Sequence, residues 1–275
     1  VRVPFTVRRR ESVAAEAVLY REGEIPAGFV QIPAGEAVLG ADPALEPEPP
    51  ERVALTDVFF AVLPVTNADW LLYLDDLATR DPAAAAARVP RRDSDLALLW
   101  TPAPDGRWSL PAPGTAESWL PDHPVTGVTW TTAADYAAWR SAREGRAFAL
   151  PSDAEWERAA RGADGRWYPW GNHGDPAFSN GRETHPEGAK LLPAGSMPSD
   201  ESPYGVRDLA GNAACWCRNR ASRTGDWRAM RGGASMNTGN LLRSAYRFGM
   251  RPNIIRPYVG VRLVMHPVPP HDAAV

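Results

Sequence analysis

Cysteine is nearly missing from this sequence. The two present, Cys215 and Cys217, stand two apart in Ala-Cys-Trp-Cys. That is neither the C-x-x-C of redox and zinc sites nor, without a second pair, a zinc shell. Side chains so close along the chain are expected to diverge rather than bridge. Both read as free thiols in a reducing compartment, so the expected location is cytoplasmic. Long apolar runs are also missing. None approaches the roughly 20 residues that span a bilayer, and no secretory leader is visible. Lysine occurs once, at Lys190, among 30 Lys and Arg residues, and the net charge is −3. A nucleic-acid surface needs a basic excess, so neither nucleic acid nor membrane is expected as a partner. The five histidines, at 123, 173, 185, 266 and 271, show no H-x-x-x-H pair or similar cluster of metal ligands. His266 and His271 read as solvated tail residues.

What is present is ordinary for a globular chain. Of 275 residues, 44% are hydrophobic and 23% charged, enough core for one large domain or two small ones. The sequence opens on Val1, which suits a piece of a longer multidomain chain.

The amino-terminal half carries the regular signals. Residues 1–25 hold two short β-like runs around Arg8–Arg10. Phe29–Ile32 and Ala37–Leu39 flank the turn Pro33-Ala34-Gly35 and suggest a hairpin. Residues 41–50 are rich in Pro and Glu and read as an exposed loop, and 53–62 reads as a strand. Thr66 with Asp69 caps a helix whose inner face is Trp70, Tyr73, Leu74 and Leu77. Residues 81–120 read as long, partly irregular connections. Thr131 or Thr132 begins a second helix, with Tyr136 and Trp139 inward. Ser152 with Glu155 is a capping box for a third, short helix that stops at Gly162. Beyond it the chain is rich in Gly, Pro, Asn and Trp, with short strands expected near 227–230 and 259–264.

The carboxy-terminal stretch 231–264 interleaves two kinds of residue. One is a frame of Arg231, Gly232, Gly233, Arg243, Ser244, Ala245, Arg247, Pro252, Arg256, Gly260 and Arg262. The other is a set of large side chains with neither helical nor strand period. A stretch without period, punctuated by Gly, Pro and Asn, reads as loop, and loops carry function.

Nine landmarks fall in order: FVQIPAGEAVLG (29–40), LPVTNADW (63–70), HPVTGVTWTTAADYAAW (123–139), LPSDAEWERAARG (150–162), YPWGN (168–172), YGVRDLAGN (204–212), RGG (231–233), RSAYR (243–247) and VGVRLV (259–264). Together they resemble the formylglycine-generating-enzyme (sulfatase-modifying-factor) family over residues 29–264. The resemblance implies an α+β fold, an irregular C-type-lectin-like single domain of few helices, short strands and many loops. That domain is expected over 29–266, after an amino-terminal segment or linker (1–28) and before a tail (267–275). Active members oxidise a substrate cysteine with two cysteines of their carboxy-terminal segment. Here no cysteine follows Cys217, and thiolate chemistry needs a thiol, so no catalytic residue and no enzyme activity is expected. Members also often hold calcium. Asp208 with carbonyls near Gly211 and Ala213 could serve here, but Cys215 replaces the acidic position that follows, so no cofactor is assigned. His123, inside a family motif, and the tryptophans at 130, 139, 156, 167, 170 and 216 read as packing residues.

Within that fold the chain most resembles the variable proteins of diversity-generating retroelements, whose carboxy-terminal segment is hypervariable on a fixed frame. The resemblance implies a variable region at about 228–264. Its candidate ligand-binding positions are Met236, Thr238, Leu241, Tyr246, Phe248, Met250, Arg251, Ile254, Ile255, Pro257 and Tyr258. Exposed aromatics and Met suit a protein ligand, and the frame arginines are expected to brace the loops. The same side chains could instead be local core. The other function weighed is a divergent oxidoreductase, or an accessory domain of a larger signalling or iron-dependent enzyme.

Overall fold

The structure is a computed structural model that describes residues 1–7, 9–45, 49–103, 105–111, 119–222 and 224–267. In chain order its strands are β1 (Phe29–Ile32), β2 (Gly35–Leu39), β3 (Glu51–Leu55), β4 (Val58–Ala61), β5 (Thr101–Pro102), β6 (Trp108–Ser109), β7 (Phe148–Ala149), β8 (Ala214–Arg220), β9 (Arg228–Arg231), β10 (Arg247–Met250), β11 (Val259–Gly260) and β12 (Val264–Met265). The helices are α1 (Asn67–Ala78), α2 (Pro82–Ala87), α3 (Trp130–Glu144) and α4 (Asp153–Arg161). One four-stranded sheet runs β1-β4-β12-β7 and a second β10-β9-β8-β11; β2–β3 and β5–β6 are separate two-stranded ribbons. None of the described helices is long and apolar enough to cross a membrane.

Local chemistry sets the helices. Thr66 accepts from the Asp69 amide, and the Asp69 carboxylate accepts from the Thr66 amide, which satisfies two of the amides left free at the start of α1. Ser152 and Glu155 make the same reciprocal pair at α4, and Gly162 ends it. The second expected helix begins earlier than Thr131 or Thr132. Thr129 is its cap, because its hydroxyl takes the Thr132 amide and Trp130 is already helical.

Two buried clusters hold the sheets together, and strand alternation sends neighbouring residues to different ones. On β8, Ala214 and Trp216 enter the larger cluster, while Cys215 and Cys217 enter the smaller. On β4, Phe59 and Phe60 divide in the same way, as do Met230 and Ala229 on β9. Four tryptophans (Trp70, Trp100, Trp156 and Trp216) are fully buried.

Three expectations change. The hairpin about Pro33-Ala34-Gly35 does not form: β1 pairs with β4, while β2 pairs with β3. Arg158 fixes the corner by donating to the carbonyls of Pro33 and Glu36. The 53–62 strand breaks at Asp57, whose carboxylate accepts the Ala34 amide at 2.7 Å. Strand β8 had no sequence signal. Buried on both faces, it shows no polar–apolar alternation. Among the described residues no strand precedes β1. Instead Tyr20 and Ile25 pack on the larger cluster, and the Tyr20 hydroxyl donates to Asp57. Arg8, 46–48, 112–118 and the tail from 268 on lie outside the described residues.

Candidate ligand-binding face

The stretch 231–264 is more regular than expected. It contains β10, a 3₁₀ turn at Gly239–Leu242, β11 and the start of β12. Its arginines act as braces. Arg231 donates to the Ala245 carbonyl at 2.9 Å and to Glu157 at 2.7 Å. Glu157 also accepts from Arg161 and from the Gly40 amide. Arg243 donates to Asp42 at 2.6 Å and lies 4.3 Å from the Trp167 ring centroid. Arg262 has no exposed surface and donates to the carbonyls of Ala61, Val62, Arg207 and Asp208. These are charge-assisted bonds in a shielded interior. They tie the segment to β4, to α4 and to the loop after β2.

On that frame the candidate residues form groups. Met236, 48% exposed, and exposed Thr238 and half-buried Leu241 surround the 3₁₀ turn. This turn docks on the 180–182 loop, where the Arg182 amide donates to the Asn237 carbonyl. It also docks on the loop after β2, where Asn240 donates to the Ala44 carbonyl. Tyr246, Phe248, Met250 and Tyr258 form a second group. The rings of Tyr246 and Phe248 stack at 5.5 Å with planes 24° apart. Burial, then the neighbouring Tyr258, raises the Tyr246 phenol above its ordinary value. All four are half-buried, and Phe248, Met250 and Tyr258 lean on the larger cluster. A third group lies in the turn between β10 and β11. Arg251 and Pro257 are exposed and Ile254 is half-buried. Ile255 is buried at 9%, so it serves the core rather than the surface.

The register brings to the face residues that sequence reading did not assign to it. Arg228 pairs with Met250 across β9–β10 and with Arg220 across β8–β9. The Arg228 guanidinium sits 3.9 Å from the Trp130 ring centroid. The Trp130 amide donates to the Pro252 carbonyl. Trp227, at the end of the β8–β9 hairpin, is 47% exposed. Trp130 is therefore half-buried beside the face rather than wholly core. Pairing of β9 with β10 is the one signal for these neighbours, and it requires β10 to be recognised as a strand.

The groups that could do chemistry are committed elsewhere. Both thiols are free and buried, and burial raises their pKa, so they stay protonated and unreactive. Strand geometry puts Cys215 and Cys217 on one face of β8 rather than apart. At the calcium candidate, Asp208 accepts the Gly195 amide at 2.9 Å and the Asn212 side chain at 3.2 Å through Oδ2. Its backbone carbonyl takes the Arg262 cation, and Cys215 is a buried thiol. That donor set does not fit calcium, which needs several oxygens with carboxylates among them. His266 is not a free tail residue. It bonds Glu155 at 2.7 Å, a carboxylate that Arg218 also grips bidentately. A cleft of about 500 Å³ opens between α1 and α3. Its carboxylates are paired: Asp76 with Arg80 and the Trp139 indole, Asp135 with Arg88.

This architecture is the irregular α+β, C-type-lectin-like fold. The sulfatase-modifying factor enzyme 1-like domain model matches residues 16–267, and the chain belongs to that family. Residues 16–28 thus lie inside the matched unit. Relatives differ in kind. The inactive C-alpha-formylglycine-generating enzyme 2 of Mus musculus is 29% identical over 85% of this chain and 84% of its own. The formylglycine-generating enzyme of Thermomonospora curvata is 30% identical over 75% of each. Among solved structures, Treponema denticola variable protein 1 superposes with a TM-score of 0.65 at 18% identity, covering 87% of this chain and 95% of that one. At that identity the likeness is one of fold.

Proposed function

We propose that this chain is a non-catalytic ligand-binding protein whose carboxy-terminal loops form a hypervariable, retroelement-diversified face for a protein ligand. One observation carries the reading. Tyr246, Phe248, Met250 and Tyr258 stand half-exposed on a frame whose arginines are locked to carbonyls and carboxylates. Such a frame keeps its geometry while side chains upon it change. Half-exposed aromatics and Met are the groups enriched at interface centres. The buried, protonated thiols and the absence of any later cysteine support the non-catalytic part. The reading needs no cofactor, nucleic acid or membrane, and it suits one module of a longer cytoplasmic chain.

Sequencing the DNA that flanks the coding region tests it. The expected finding is a reverse transcriptase gene and an adenine-rich near-copy of the segment encoding 231–264, with mismatches at the candidate codons. A flank with neither sinks the diversified reading. Kinship with a formylglycine-generating enzyme favours a second reading, a divergent oxidoreductase or an accessory domain of a larger signalling or iron-dependent enzyme. Stoichiometric copper or iron with oxygen-consuming turnover in the purified chain would establish that instead.

A further inference from the structure

The charges around the face are unbalanced, in the sense opposite to the chain as a whole. Arg220 and Arg228 are register partners, and Arg251 follows Met250, the other partner of Arg228. The three residues therefore sit at one end of the second sheet. Among the described residues Asp226 is the carboxylate that Arg228 and Arg220 share, at 3.3 Å and 3.9 Å. Arg251 is exposed and has no ion-pair partner among the described residues. Further along the same segment, Arg256 reaches Asp93 only at 4.0 Å. Four cations thus face two carboxylates, on a chain whose net charge is −3.

One of these cations is already set in place. Arg228 holds its guanidinium carbon 3.9 Å from the Trp130 ring centroid and donates to the Arg218 carbonyl at 3.1 Å. Trp130 is itself pinned by its indole N–H to the Cys217 carbonyl at 2.9 Å. A guanidinium held this way, already shared with Asp226, loses little further freedom when a second carboxylate arrives. Met250 is the register partner of Arg228, and Phe248, stacked on Tyr246, lies two residues away along β10; such side chains take apolar groups.

Building on the binding-face reading above, we infer that the protein ligand offers an acidic segment. Its carboxylates seat on Arg228 and Arg251, and its apolar side chains rest on Tyr246, Phe248 and Met250. A polyphosphate backbone would satisfy the arginines but leave the aromatic neighbours idle.

The test is selection of a displayed library of random peptides on the full chain, followed by titration of one enriched peptide as a synthetic probe. The expected result is enrichment of net-negative peptides carrying aromatic or aliphatic residues. Binding should weaken with salt, and Arg251→Glu should weaken it about tenfold. The same loss is expected when the peptide's Asp and Glu become Asn and Gln. Enrichment of neutral or basic peptides, of none, or of peptides indifferent to Arg251→Glu overturns the inference. So does tighter binding of a single-stranded oligonucleotide than of any peptide. Tyr246→Ser separates the two levels. Neutral peptides lost with Tyr246→Ser keep the face and sink only its acidic partner. Peptides indifferent to both variants sink both readings.

Discussion

Two irregular regions of this molecule look alike as sequence and differ completely as structure. Residues 195–212 and 243–258 are both punctuated by Gly, Pro, Ser and Asn, and both lack a period. The first is a buried polar knot. Asp200 accepts the amides of Leu209 and Ala210, and Asn212 bonds Asn180, Leu192 and Asp208. Asp208 and Asn212 take left-handed backbone angles, with φ of 54° and 58°, to make these bonds. The second region leaves aromatic rings half in water on a braced strand. The difference lies in whether polar groups find partners inside. Irregular backbone alone does not mark a binding loop.

The largest expected effect tests whether the knot is structural. Arg262→Met takes the guanidinium from four carbonyls, of which that of Val62 keeps the Arg207 amide, and a loss of about 3–5 kcal/mol is expected in urea unfolding. A loss below about 1 kcal/mol would make the knot dispensable. Gly211→Ala strikes the same region through the backbone. Gly211 has φ of 137°, and an added Cβ would lie 2.4 Å from the Asn180 carbonyl oxygen. We expect about 2 kcal/mol or more from strain, read as a lower Tm.

The third test is pH. Burial, and then the charge of Asp208, pushes the Asp200 carboxyl up to about 7. An unfolded Asp titrates near pH ~4. Between those values the native chain holds a proton that the unfolded chain has released, so stability falls as pH rises through the window. Asp200→Asn should flatten that slope in unfolding curves taken across the range, while costing about 1 kcal/mol for the lost acceptor. An unchanged slope assigns the titration elsewhere.

On the other side of the comparison, Phe248→Ala should cost about 1–2 kcal/mol, less than a fully buried ring. If it costs as much as Arg262→Met, the face is core and the contrast collapses. Smallest of all, Met236→Ser and Pro257→Ala should shift stability by under about 0.5 kcal/mol. They should nevertheless alter which peptides the displayed library yields.

Legibility followed the range of the interactions. Capping boxes are written within four residues, so Thr66–Asp69 and Ser152–Glu155 could be read directly from sequence. The α3 cap was misplaced because Thr129, Thr131 and Thr132 offer the same hydroxyl. The failed hairpin depended on Arg158, more than a hundred residues from the turn it holds. Strand β8 was silent because both its faces are buried. The frame arginines could be placed through family resemblance. Trp130 and Arg228 could not, since only the pairing of β9 with β10 brings them to the candidate face. His266 was read as tail because its partner Glu155 lies on another element.

The position of β12 has one more consequence. Val264 and Met265 lie inside the first sheet, between β4 and β7, although they come almost last in the matched domain. That sheet stays open until ribosomal synthesis has passed every codon of the candidate face. A stop or frameshift anywhere in those codons therefore removes the keystone strand along with the reading frame. A chain that ends early lacks the strand pairing β4 with β7, and unpaired sheet edges are open to aggregation and proteolysis. The first sheet therefore closes only on chains translated in frame through the whole candidate face, because the strand that joins β4 to β7 is made after it.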